Sequence, residues 1–468
     1  MSAVGGTAEP LEVTAPKRRG VEAMLLVAAL IVGAVAYASV DLTINGSLPT
    51  DFWAEVGAFA GLLAVAHLGV RILAPYADPY LLPVVAMLNM LGLAMIHRLD
   101  LADQLAARRN GTELPRADAN VQFTWMVLAV AMFIATLLIV RDHRRLQRVT
   151  YTAMFLGVAL LLLPMVPGLG ANINGATLWI RLGPFSFQPS EFAKILLTIF
   201  FAGYLVLKRD SMAVVRTKIL GIGIPRPRDL GPLLVIWLAA LAVLAVQKDL
   251  GTALMFFGVF VVMVYVATGR RSWLVIGALL LISGALIAWA LFSHVQLRVN
   301  IWLDTWTYAT DESYQLAQGL MGLANGGLFG SGLGNGYPQF VPFAKSDFIA
   351  DALGEEVGLT GMFAILLLYA IAIERGLRAA IAVRDNFGKL LAVGLSTVLA
   401  LQLFVVVGGV TRLIPLTGLT TPFLAYGGSA LLANWVMVAL LLRISHRARE
   451  PIAQVPLATP STTAAVTQ

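Results

Sequence analysis

The chain has 468 residues, 59% hydrophobic and 13% charged, with a mean hydropathy of +0.82. That balance excludes a soluble globular protein, and the absence of cysteine excludes disulfides, thiolate metal sites and cysteine nucleophiles. The net charge of +7 sits in short segments between apolar runs, which points to membrane topology and away from nucleic acid.

Taken in chain order, apolar runs of helix-spanning length predict twelve spans, at 23–42, 52–72, 80–97, 122–140, 151–166, 190–207, 231–247, 251–267, 273–292, 352–373, 389–409 and 421–442. None shows the period-two alternation of a barrel strand. Lys17, Arg18 and Arg19 precede the first run without a small-residue cleavage site, so it reads as an uncleaved helix. Basic residues then recur in alternate loops, from Arg141, Arg144 and Arg145 to Arg375, Arg378 and Arg384 and the tail around Arg447 and Arg449. The exception is 98–121, where Arg98, Arg108, Arg109 and Arg116 mix with acids. The expectation is an all-α polytopic membrane helix bundle of about 12 transmembrane helices, with both termini cytoplasmic and the loop 293–350 outside. The ends, 1–19 and 450–468, lack periodicity and are expected to be disordered.

Four clusters on the expected outer side combine charge with loop chemistry. The first runs from Asn174-Gly175 through Trp179, Arg181 and Gly183 to Gln188-Pro189-Ser190-Glu191 and Lys194. Pro189 and Glu191 suit a helix start, but Lys194 lies about one turn into an apolar span, where it needs a partner; Glu191 at i, i+3 is one. Trp179 reads equally as an interface aromatic. The second, Gln247-Lys248-Asp249, is a tight polar turn whose Lys248 and Asp249 can simply pair. The third is the long loop, with Gly326, Gly327, Gly330 and Gly332, then Lys345, Asp347, Asp351, Glu355 and Glu356. No strand precedes the glycines, so a dinucleotide loop is excluded; they let backbone approach a ligand or let the loop re-enter the bundle. Asp347, Asp351 and Glu355 share one face if helical, with Asp351 expected at a solvated helix entrance and Glu355 and Glu356 expected to be paired inside the bundle. The fourth holds Arg412, suited to a phosphate or to pairing with one of these acids, and Ser429 in Tyr426-Gly427-Gly428-Ser429.

Gln188-Pro189-Ser190-Glu191-Phe192, Asp249-Leu250-Gly251-Thr252, Gly326-Gly327-Leu328-Phe329-Gly330, Ser346-Asp347-Phe348-Ile349, Gly354-Glu355-Glu356 and Pro422-Phe423-x-x-Tyr426-Gly427-Gly428-Ser429 resemble, in order, the RodA/FtsW/SpoVE (SEDS) family. The text around Arg226-Pro227-Arg228 and Thr411-Arg412-Leu413, with two extra N-terminal spans at 20–75, is most similar to the actinobacterial RodA branch. The resemblance implies a ten-span core at 76–446 that polymerises lipid II into β-1,4 glycan strands during elongation, with nascent glycan-lipid as acceptor or donor and a class B penicillin-binding protein as partner. It places the essential aspartate at Asp347. Where the family often has Pro-Glu-x-His-Thr-Asp, this chain has Pro342-Phe343-Ala344-Lys345-Ser346-Asp347, so no acid carries over at Phe343 and Lys345 replaces the histidine. Asp347 is then the expected general base of an inverting transfer. Lys345 either lowers its pKa or contacts pyrophosphate, which Arg412 with Lys194 or Lys345 would hold, and Glu191, Trp179, Gln188 and Ser429 complete the expected substrate contacts. No cofactor is read from the sequence, although a divalent cation (Mg or Mn) beside Asp347 is compatible with it. The rival reading is a lipid II flippase, which would use the intramembrane charges Glu191, Lys194, Glu355 and Glu356.

Overall fold

The computed structural model describes residues 17–173, 176–182, 185–213, 217–219, 222–224 and 227–451. Residues 1–16 and 452–468, expected to be disordered, lie outside these, as do Asn174, Gly175, Gly183, Arg216 and Arg226.

Long apolar runs satisfy their own backbone groups only as helices, and fourteen α-helices form among the described residues. In order they are α1 (Arg19–Asn45), α2 (Phe52–Leu73), α3 (Leu81–Asn110), α4 (Asp118–Ile139), α5 (Thr150–Leu162), α6 (Ser190–Ala213), α7 (Pro227–Val246), α8 (Leu250–Thr268), α9 (Ser272–Leu291), α10 (Ser293–Leu303), α11 (Tyr314–Gly326), α12 (Ile349–Ala382), α13 (Asn386–Val410) and α14 (Gly428–Arg449). Eleven helical segments are long and apolar enough to cross a membrane, and α7 occupies the seventh predicted position beside them. Left-handed glycines Gly46, Gly111 and Gly269 end α1, α3 and α8, while Asp249 and Asp385 cap the starts of α8 and α13.

The protein is an all-α membrane bundle with small strand additions. Between α5 and α6 an antiparallel meander joins β1 (Gly170–Ile173), β2 (Ala176–Leu182) and β3 (Phe185–Phe187), and β4 (Thr217–Ile219) pairs with β5 (Ile222–Ile224) after α6. These strands are too short to stand out from the flanking glycines in the sequence. Another difference is the length of α3, which runs beyond the predicted 80–97 to Asn110. Arg98 is therefore not a loop cation but a buried helix residue, 3% exposed. The last span starts at Gly428 rather than at 421, and the preceding residues fold into the bundle.

Within the most apolar 18-residue stretch of each helix, 83%, 78% and 83% of α3, α6 and α14 is buried, against 6% of α9, so the former make the centre and the latter the rim. The segment 421–427 reaches that centre because polar side chains meet its carbonyls. Asn89 Nδ2 donates to Phe423 O at 2.6 Å and Gln122 Nε2 to Ala425 O at 3.1 Å, while Tyr369 Oη donates to Pro422 O. Gly92 permits the approach, since a Cβ there would sit 2.3 Å from Leu424 O.

Candidate active site

The glycine run and α12 build the frame of the site together. Gly358, at φ 68° and ψ −175°, breaks α12 and frees backbone groups inside the bundle, where an unmet one is expensive. Residues 326–332 fill that gap. Ser331 N and Gly332 N donate to the carbonyls of Glu355 and Glu356 at 3.0 Å each, and Leu359 N and Thr360 N donate to Gly327 O and Leu328 O at 2.9 and 3.0 Å. A Cβ on Gly330 would lie 2.2 Å from Glu356 O and one on Gly326 2.3 Å from Gly354 O, so the run can only be glycine-rich. Of the two uses expected for these glycines, close re-entry is what their N–H groups serve. Glu355 accepts from Asn325 Nδ2 at 3.0 Å and Tyr337 N at 2.9 Å; Glu356 accepts from Arg98 Nε at 2.8 Å and Gly334 N at 3.0 Å. Glu356 is paired inside the bundle, as expected, whereas Glu355 is held by an amide and a backbone N–H rather than by a cation. Asp351 is not at a solvated entrance: it is 1% exposed and neither carboxylate oxygen has a hydrogen-bond partner.

Asp347 ends the loop just before α12. Phe348 and Ile349 after it are fully buried, and Phe348 N donates to Phe343 O at 3.2 Å, which fixes the turn and leaves the carboxylate partly exposed at the bundle mouth. Burial pushes its pKa up to about 6, against a hydrogen bond from Ser346 and the charge of Arg298. Across from it lies Gly418, where a Cβ would sit 3.7 Å from Asp347 Oδ2.

The segment carrying Gly418 is held from three directions. Arg298 on α10 donates to Leu416 O and Thr417 O at 3.1 and 2.9 Å. Gln402 on α13 donates to Thr420 O at 2.9 Å and itself accepts from Lys194 Nζ at 2.9 Å, while Lys194 pairs with Glu191 at 2.5 Å. Gly251 on α8 lets Leu419 approach to 2.6 Å of where a Cβ would stand. Beside it Asp249 Oδ1 accepts from Thr252 N at 3.0 Å and Oδ2 has no partner. Burial raises the Asp249 carboxyl, with Thr252 opposing, Glu191 adding to the rise and Arg298 opposing it. Arg298 is thus a half-buried cation within electrostatic range of both Asp249 and Asp347. Asp347, Asp249, Glu191 and Lys194 therefore converge on one loop.

Other expected contacts stand apart from Asp347. Lys345 bonds Asp100 and Asp103 at 2.7 Å and Asp118 at 2.9 Å, so three carboxylates of α3 and α4 engage its ammonium and raise its pKa against burial. It is not among the charges that act on Asp347. Arg412 donates to Trp302 O and Leu303 O at 2.7 Å each, closing the end of α10 rather than pairing with an acid. Gln188 N donates to Ser429 Oγ at 2.9 Å, tying β3 to the start of α14, and Trp179 sits opposite Ala171 in the small sheet. Arg298 and Gln402 were missed. Arg298 was legible only as one of two Lys or Arg residues in 293–350; Gln402, a lone amide within an apolar run, gave the clearer signal. Among the described residues no group of three or more His, Cys, Asp or Glu side chains is placed to hold a metal ion, and the charge that acts on Asp347 is a guanidinium.

A family model described as cell cycle protein, FtsW/RodA/SpoVE, matches residues 79–450. The chain belongs to this FtsW/RodA/SpoVE family. The peptidoglycan glycosyltransferase RodA of Mycobacterium tuberculosis is 49% identical over 463 residues, covering 98% of this chain and 97% of that protein. Its counterpart in Mycobacterium leprae is 47% identical over 445 residues, covering 94% and 93%. A solved chain from work on structural coordination of polymerization and crosslinking by a peptidoglycan synthase complex aligns at a TM-score of 0.53 and 26% identity, over 85% of this chain and 98% of that one. In this family member, α1 and α2 precede the matched region.

Proposed function

We propose that this family member is a peptidoglycan glycosyltransferase that polymerises lipid II at the outer face of the cytoplasmic membrane. The observation that carries the chemistry is Asp347, partly buried at the bundle mouth beside Gly418 and within electrostatic range of Arg298, with its pKa near 6. A base of that strength is mostly ionised at neutral pH yet still accepts a proton well. Asp347 takes the proton of the acceptor 4-hydroxyl as that oxygen bonds to the anomeric carbon of the donor. The bond from this carbon to the pyrophosphate oxygen breaks, the α-linked donor becomes a β-1,4 link, and polyprenyl pyrophosphate leaves with the electron pair. Arg298, the cation acting on Asp347, is the group assigned to the developing negative charge. Lys194 and Glu191, locked with Gln402, position the 416–420 segment, and Trp179, Gln188 and Ser429 shape the approach beside α14. The step as written uses no cofactor.

A class B penicillin-binding protein is the partner this reading calls for, since glycan strands made here need crosslinking; the likeness to a chain from a peptidoglycan synthase complex supports it. Transport is not favoured, because three of the four intramembrane charges that reading would use, Glu191, Lys194 and Glu356, are locked in ion pairs, Lys194 with Glu191 and Arg98 with Glu356. The test is lipid II polymerisation by purified protein, with and without the class B partner, resolved on a gel. Asp347→Ala is expected to lower the rate by about 10²–10⁴. A folded Asp347→Ala protein with full activity would overturn the assignment.

A further inference from the structure

At the end of the bundle opposite Asp347, we infer a binding site for an anionic phospholipid, formed by four arginines and an adjoining apolar groove. Arg375 and Arg378 lie near the far end of α12, and with Arg18, Arg449 and Tyr76 they line a cavity of about 430 Å³. Asp78, its side chain 2% exposed, holds two of them: it pairs with Arg449 and lies 3.8 Å from Arg375. The Arg375 guanidinium also stacks 4.3 Å above the Tyr80 ring, and Arg378 pairs with Glu374. Four guanidinium groups thus face two carboxylates, Asp78 and Glu374, which leaves the cavity positive. Planar guanidinium forks match phosphate oxygens, and fixing them in advance reduces the entropy lost on binding.

A second cavity of about 220 Å³ selects the class of ligand. It is lined by Ala379, Ile381, Ala382 and Ala448, and it shares Arg378 and Arg449 with the first. Ile381 is 83% exposed at the end of α12. A free phosphate would use only the arginine cavity. A phospholipid would place its phosphate there and an acyl chain along the alanine and isoleucine wall, with Arg378 and Arg449 at the junction.

The experiment is native mass spectrometry of the full-length protein, delipidated in detergent and titrated with phosphatidylglycerol, phosphatidylcholine or inorganic phosphate. Phosphatidylglycerol is expected to bind ahead of phosphatidylcholine. Arg378→Gln, at a side chain 63% exposed, should weaken it roughly fivefold, the effect of one arginine at a membrane surface. Ile381→Ser should weaken the lipid and leave inorganic phosphate unaffected. Equal binding of the two lipids, unchanged affinity in Arg378→Gln, or phosphate binding as tightly as phosphatidylglycerol would each overturn the site.

Discussion

Asp347 works as a base only when ionised, and burial holds its pKa at about 6. The sign follows: protonation below that value removes the base, so rate should rise with pH and level off above it. At pH 5 the initial rate is expected to be about a tenth of the plateau. A flat profile between pH 5 and 8 under chemistry-limited conditions would contradict the role. At this scale the sequence was informative where partners were near in the chain. Glu191 and Lys194 are three residues apart and pair as their spacing implies. Lys345 was not legible, because Asp100, Asp103 and Asp118 lie more than 200 residues away, and only folding shows that they occupy its charge. Arg298 was hidden because the carbonyls it holds, Leu416 O and Thr417 O, belong to a segment more than 100 residues away.

At the scale of elements, the break in α12 depends on a wedge that must be satisfied all round. Arg98 from α3 supplies the charge that lets Glu356 sit in the bundle at 1% exposure, and it also donates to Gly336 O at 2.7 Å, so one side chain ties α3, α12 and the glycine run. Arg98→Leu is expected to cost about 3–5 kcal/mol of stability by leaving a buried carboxylate without its cation. Arg98→Leu combined with Glu356→Leu should recover part of that loss in thermal unfolding in detergent. If the double variant is as unstable as the sum of the two singles, the pair is not coupled.

For the whole molecule, the alternation of basic loops predicts Asp347 outside and the arginine cavity inside. The chain has no cysteine, so single cysteines can report this without background. Glu312→Cys, in the α10–α11 connection, should react with a membrane-impermeant maleimide in intact cells, and Asp142→Cys, between α4 and α5, only after permeabilisation. The reverse pattern would invert the topology and remove the site from an extracellular substrate.

The sequence alone determined that the chain is a multi-span helix bundle, because hydrocarbon admits only helices for such runs and the runs are local. It also marked Glu191, Lys194, Glu355 and Glu356, since a charge in or beside an apolar span is conspicuous by its cost, and Asp347 through the family resemblance of Ser346-Asp347-Phe348-Ile349. The tertiary structure decided which charges meet. It brought Arg298 within electrostatic range of Asp347, gave Lys345 to α3 and α4, and turned a loop arginine at 98 into the partner of Glu356. Span identity depends on composition over twenty neighbouring residues, whereas the Lys345 and Arg98 pairings join residues 227 to 258 positions apart and exist only once the helices have packed.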